Sequence, residues 1–344
     1  MPHLSSTPEL FPYGLDVGTD SLTLLRLTEA DYAAASFLDQ RILKPGVPTQ
    51  IAPFAQAEIE AAEMGLAESC QFIFHIGHVG STLLSRLLGR HPGALALREP
   101  AVLRMLAQIR AEPETFPRRW TGTQFEAHLS TLLKLWSRTF RPDQRAVVKA
   151  TSFASELAAE ILGRAYRPKA IFMFVSPQSY LATILGAENS PREAQMLAAL
   201  RAKRLHQRIG APPQRATCMG ELVAMSWASE MTALTAALPG SRDRILWLDF
   251  DRFLADPQSA LTACFEHLGI AAGDDQIGTI LSGPDMRTYS KAQEYDYDAK
   301  LRSDVLAQAW AMHGTEIERG LGWLEKMAVA HPLIMAATKP AQTS

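Results

Sequence analysis

The segment that most limits what this chain can fold into is Phe72-Ile73-Phe74-His75-Ile76, an apolar run that passes directly into Gly77-His78-Val79-Gly80-Ser81-Thr82. The run is short and apolar enough to be a strand buried on both faces, as strands inside parallel sheets are. Leu83, Leu84, Leu87 and Leu88 follow at helical spacing. Strand, glycine-containing turn and helix N-terminus in that order make an anion site. The glycines let a ligand approach the backbone and leave its N–H groups available, and the helix dipole favours negative charge there. Ser81 and Thr82 add hydroxyl donors in the first helical turn. The same segment also suits an ordinary strand-to-helix turn with a serine cap. The rest of the chain has to decide between them.

From about Ser69 onward the pattern alternates between strand and helix, the signature of a parallel sheet covered on both faces. Strands are predicted at Gln71 to Ile76, Ala94 to Leu97, Ala146 to Ala150, Ala170 to Val175 and Ile245 to Phe250. Asp256-Pro257 caps and starts a helix whose Leu261, Cys264, Phe265 and Leu268 share a face and which Gly269 ends. A later helix puts Trp310, Ile317, Leu321 and Leu324 on one side. The expected fold is α/β, three layers with a central parallel sheet of about five strands flanked by helices and a small N-terminal extension. Residues 1–68 form that extension, with a strand at Ser21 to Leu27 and helices at Tyr32 to Ile42 and Phe54 to Glu68. Residues 69–336 form the main domain, and 337–344 are expected to be a disordered tail.

Composition excludes several functions. At 344 residues, 47% hydrophobic, 20% charged and a net charge of −2, the chain has no electrostatic case for binding nucleic acid or an anionic membrane. Cys70, Cys218 and Cys264 are scattered and odd in number, which speaks for a reducing compartment and against a disulfide framework or cysteine zinc site. Met1 to Leu15 lacks the charged and apolar regions of a signal peptide. No stretch reaches the roughly 18 apolar residues of a membrane helix. A cytoplasmic location is expected, and oligomeric state stays open.

A Walker loop needs a lysine before its Ser or Thr, and here Gly80 is followed by Ser81-Thr82. Glycine and two hydroxyl residues, with His78 two positions upstream, resemble instead the phosphosulfate loop of the P-loop sulfotransferases. The resemblance runs from Phe72 to about Lys326, nearest in layout to the bacterial and protein-tyrosine branches. His91-Pro92 followed by Arg98-Glu99-Pro100 places Glu99 at the spacing of the family's catalytic base. Lys149 in Val147-Val148-Lys149-Ala150-Thr151 matches a family lysine after a later strand. Lys169 to Pro177, the run Leu248 to Pro257 ending in Asp-Pro, and the Ser290-Lys291 pair follow in the family's order.

The resemblance implies 3′-phosphoadenosine 5′-phosphosulfate (PAPS) as co-substrate, held by Gly77, His78, Val79, Gly80, Ser81, Thr82, Thr183, Ser290 and Lys291, with no metal. It implies Glu99, His78 and Lys149 as catalytic residues. Two departures stand out: His78 replaces a family Arg or Lys, and Val175 stands where the family's 3′-phosphate arginine would be, with Thr183 at its partner serine. Either Arg287 or Lys291 then substitutes for that arginine, or the donor is a different nucleotide.

Each residue also has a plainer reading. Glu99 suits a carboxylate capping the helix that starts at Pro100, His78 a structural loop histidine, and Lys149 a lysine leaving the sheet for solvent. His75 reads as a core histidine, and Arg86 and Arg90 as surface or supporting residues. The function expected is transfer of a sulfuryl group to a small-molecule or peptide acceptor through its hydroxyl or amine, the acceptor lying near Arg104 to Arg141 and Ala187 to Gln214. A nucleotide-dependent phosphotransferase and a catalytically silent nucleotide-binding regulator are the alternatives.

Overall fold

The computed structural model describes residues 7–43, 48–117, 119–288 and 299–343, whose eight strands form two sheets. β1 (Leu10–Asp16), β2 (Ser21–Arg26) and β3 (Thr49–Pro53) make an antiparallel sheet in that order. β4 (Gln71–His75), β5 (Ala94–Arg98), β6 (Arg145–Lys149), β7 (Ala170–Phe174) and β8 (Ile245–Asp249) make a parallel sheet ordered β5-β6-β4-β7-β8. Helices cover both faces, so β5 and β7 are buried along their whole length, as their unbroken apolar runs require. The chain leaves β4 for the β5 edge, returns through β6 and then crosses to β7. The loop after β4 therefore stands at the point where strand order reverses, where open α/β sheets bind ligands.

The helix Ser81–Gly89 follows that loop, and every residue from Ser81 to Leu88 is buried. On the other side of the sheet the helix Met219–Ala236 is buried along most of its length among Pro177–Leu185, Ala198–Ile209 and Ala299–Ala330. Its crossing with the last of these depends on glycine. A Cβ on Gly220 would lie 1.8 Å from the Glu316 carbonyl oxygen, and one on Gly320 would lie 2.6 Å from the Gly220 oxygen.

The N-terminal extension departs from the expected pattern. Instead of a helix from Tyr32 to Ile42, a short helix Glu29–Ala34 is closed by a Thr28/Asp31 capping box, and a 3₁₀ turn covers Gln40–Ile42. Between them the chain runs along the open edge of β5: Leu38 N–H donates to the Arg98 oxygen (2.6 Å) and Ala101 N–H to the Leu38 oxygen (3.3 Å). A sheet edge offers unpaired backbone groups, and this segment uses them. The helix from Phe54 ends at Glu63, short of Glu68, and β1 and β3 were not expected. The tail is helical over Pro332–Thr343, with Ile334 and Ala337 buried, where disorder was expected.

Two buried arginines tie the antiparallel sheet and its helix to the rest. Arg138 donates to the Thr7 and Leu10 oxygens (3.0 and 2.6 Å), and Arg98 to those of Tyr32 and Ala35 (2.9 and 2.6 Å). Burial pulls Arg98 down to about 9 and Arg138 to about 10. Leu22, Leu25 and Phe54 share one apolar core with the parallel sheet.

Candidate functional site

A cavity of about 460 Å³ opens over the C-terminal ends of the parallel strands. The loop after β4 forms its floor. Gly77, His78 and Gly80 all have positive φ (86°, 56° and 64°), so the chain turns sharply enough to bring successive backbone amides together as an anion-binding concavity does. Gly80 is fixed by two constraints: its left-handed backbone, and the Phe250 ring, which a Cβ there would meet at 2.0 Å. His75 supports the loop from below. Its Nδ1 accepts from Gly77 N–H (3.0 Å), so its Nε2 carries the proton and donates to the Ala150 oxygen (2.8 Å). The core reading of His75 is the one seen.

Glu99 follows directly from β5. Its N–H donates to the Lys149 oxygen (2.7 Å), and its carboxylate forms an ion pair with the Lys149 ammonium. Lys149 is fully buried and Glu99 partly so, so the lysine does not leave the sheet for solvent. Glu99 does not cap the next helix, Ala101–Ala111, whose N-cap is Pro100. Four non-glycine residues among those described have positive φ, and two of them, His78 and Glu99 (54°), face this cavity. Such conformations cost roughly 1–2 kcal/mol each and gather where function holds them.

The other expected positions divide. Gly77 through Thr82, Glu99, Lys149 and Thr183 line the one cavity. Thr82 Oγ1 has no hydrogen-bond partner although buried, and neither does Thr151 Oγ1 on the cavity wall. A buried hydroxyl left unpaired is costly. Thr183 spends its hydroxyl on the Ser179 oxygen (2.7 Å). Val175 is buried, its carbonyl accepting from Trp227 Nε1 (3.1 Å). Arg287 is exposed, donates to the Ser282 oxygen (3.3 Å) and lies off the cavity wall. Ser290 and Lys291 lie outside the described residues. Arg86 is buried rather than on the surface and reaches Ser36 Oγ (2.5 Å), while Arg90 is half-exposed and pairs with Asp285 (2.6 Å).

Sequence reasoning placed the acceptor near Arg104 to Arg141 and Ala187 to Gln214, spans that supply much of the cavity's second wall, but it singled out none of that wall's residues. Arg201 and Arg204, from the helix Ala198–Ile209, face Glu230 of Met219–Ala236 and the Phe153 ring after β6. Glu230 is fully buried, and desolvation pushes it up to about 7 against the pull of Arg201, 3.3 Å away. Two signals were present. Arg201, Arg204 and Arg208 share a helix face, and Glu230 is the one carboxylate beyond the first turn of an otherwise apolar helix. Among the described residues no group of three His, Cys, Asp or Glu side chains could hold a metal ion, and no helix is long and apolar enough to cross a membrane.

No protein-family model and no curated protein matches the chain. Solved structures do. A sulfotransferase from Mycobacterium avium is 10% identical over 75% of this chain and 80% of its own, with a TM-score of 0.41. A mouse sulfotransferase complexed with PAP is 12% identical over 79% and 89%, also at 0.41. A sulfotransferase from Alicyclobacillus acidocaldarius is 16% identical over 73% and 96%, at 0.35. A likeness this distant carries no argument about chemistry. The sheet order, the loop and the cavity stand on this chain's own geometry.

Proposed function

We propose that this chain is a sulfotransferase that moves a sulfuryl group from PAPS to the hydroxyl or amine of a small-molecule or peptide acceptor, with Glu99 as general base. The observation that carries the reading is the pairing of two strained non-glycine residues, His78 on the phosphate loop and Glu99 beside buried Lys149, across one cavity. The unpaired hydroxyls of Thr82 and Thr151 fit an oxyanion ligand there. PAPS supplies the sulfuryl group and a phosphate that leaves with negative charge. The loop amides, Ser81, Thr82 and the N-terminus of Ser81–Gly89 hold that charge. His78 donates toward the bridging oxygen as the S–O bond to phosphate breaks. Glu99 takes the proton from the acceptor oxygen or nitrogen as the new bond to sulfur forms, and Lys149 orients the carboxylate. Cys70, Cys218 and Cys264 are free, with Cys70 and Cys264 pushed by burial up to about 11 and about 12, which fits the reading's cytoplasmic location.

Two measurements test it. Thermal unfolding with 3′,5′-adenosine bisphosphate at ~100 times its dissociation constant should show stabilisation by about 2.7 kcal/mol, a midpoint shift of a few degrees. Glu99→Gln should keep that shift while transfer of labelled sulfate from PAPS falls roughly 10²- to 10⁴-fold. No shift with the bisphosphate sinks the reading. A larger shift with ATP and magnesium moves it to phosphotransfer. Bisphosphate binding without turnover in the native protein makes it a nucleotide-binding regulator.

A further inference from the structure

The cavity extends past Glu99 and Lys149 to a wall that the phosphate chemistry does not use. The helix Ala101–Ala111 starts two residues after Glu99, and the 3₁₀ segment Ser152–Leu157 starts three after Lys149; the two segments lie against each other. Phe153 on the second of them is flanked by two guanidiniums, Arg204 at 3.6 Å and Arg104 at 5.8 Å from the ring centroid. All three side chains line the cavity.

Arg204 is the unusual one. Its side chain is 4% exposed, yet Nε and Nη2 have no hydrogen-bond partner. The acids nearby are already engaged. Glu156 receives two 2.7 Å bonds from Arg208 and lies 3.6 Å from Arg204; Glu230 pairs with Arg201, and Glu112 with Lys203 at 4.0 Å. Burial lowers Arg204 in spite of Glu156 and Glu230, whereas Tyr180 and Glu230 more than offset burial for Arg201. A buried guanidinium with two open nitrogens is a fork shaped for a planar or tetrahedral anion.

We propose that Arg204 and Arg104, over the Phe153 ring, seat a carboxylate, sulfate or phosphate group carried by the acceptor. This deepens the sulfotransferase reading by assigning its acceptor to the anionic class, and Arg104, on the helix that starts two residues after Glu99, favours the acceptor over the nucleotide as the source. The aromatic ring between the guanidiniums also suits an acceptor whose body is flat.

The probe pair is 4-hydroxybenzoate and 4-hydroxybenzamide, alike in shape and different in charge. Each is titrated by calorimetry into the full-length protein, with and without saturating 3′,5′-adenosine bisphosphate. The carboxylate should bind at least tenfold more tightly than the amide. Arg204→Gln should abolish the preference, and Arg104→Gln, at an exposed helix position, should reduce it a few-fold. Equal binding, no binding of either compound, or a preference that survives Arg204→Gln overturns the proposal. A tenfold loss of bisphosphate affinity in Arg204→Gln assigns the seat to the nucleotide and overturns it too. If the native protein ignores the bisphosphate but keeps the benzoate preference, the sulfotransferase reading fails and the anion seat stands.

Discussion

The two walls of the cavity are built by opposite strategies. The loop wall is continuous in sequence: Gly77 to Thr82 present amides and hydroxyls from one turn, and the helix that follows aims its dipole at them. The far wall is discontinuous, assembled from Arg104, Phe153, Arg201, Arg204 and Glu230 on four separate segments. The first wall stores its cost in backbone strain, the second in buried charge. One responds to sterics and the other to pH.

The steric side is the easier to break. Gly80→Ala forces a side chain into a left-handed backbone and into the Phe250 ring at 2.0 Å. Left-handed strain of about 1–2 kcal/mol and overpacking of about 1–3 kcal/mol together predict a loss of roughly 2–5 kcal/mol in urea unfolding. Phe250→Ala alone is also destabilising, since it empties a buried site. The double variant should be less unstable than the sum of the two, by about 1–3 kcal/mol of coupling. Strict additivity would show that the ring does not set the loop, and the contrast between the walls would lose its first term.

The charged side should show itself in the pH dependence of stability. Glu230 stands at about 7 in the folded protein against about 4.3 unfolded. Below pH ~4 the group is protonated in both states and contributes nothing to the difference. Between pH ~4.5 and 7 the unfolded chain gives up its proton while the folded one keeps it, so stability falls as pH rises, by about 3–4 kcal/mol in all. Above pH ~7 the loss levels off. Burial sets the raised value, Glu156 adds to it, and Arg201, Arg204 and Arg208 pull against it. Asp39, Glu29 and Glu221, held below their ordinary range, act in the opposite sense at lower pH. Subtracting the Glu230→Gln profile isolates the one slope. A difference curve flat from pH 4.5 to 7 would place the buried charge elsewhere.

The same division explains what could be read in advance. The five parallel strands were legible because burial on both faces leaves short apolar runs. β1 was not: Pro12 and Gly14 mark a register shift inside it, and such residues read as punctuation. β3 ends in Pro53 and exposes Ile51 on an edge, so it shows no alternation. The expected helix over Tyr32 to Ile42 failed because Leu38 gains backbone bonds with Arg98 of β5 and with Ala101, a tertiary benefit that propensity does not see. In the site, the strand–glycine–helix order marked the loop only together with the family resemblance of the later segments, whereas Arg204 shares a helix face with Arg201 and Arg208, a pattern that charge alone marks as solvated. Only the neighbouring helix Met219–Ala236 turns that face inward.

The smallest effect separates binding from folding on the loop wall. Thr82 Oγ1 and Thr151 Oγ1 are buried without partners, so each hydroxyl weakens the ligand-free protein relative to a methyl of the same shape. Thr82→Val and Thr151→Val should therefore raise unfolding free energy by about 0.5–1.5 kcal/mol each without ligand. If these hydroxyls await a phosphate or sulfate oxygen, the same variants should bind 3′,5′-adenosine bisphosphate several-fold more weakly. A gain in stability with a loss of affinity is the signature of a polar group kept for a ligand. A gain in stability with affinity unchanged would mean that the hydroxyls are simple packing defects, and the loop wall would then hold its anion through backbone amides alone.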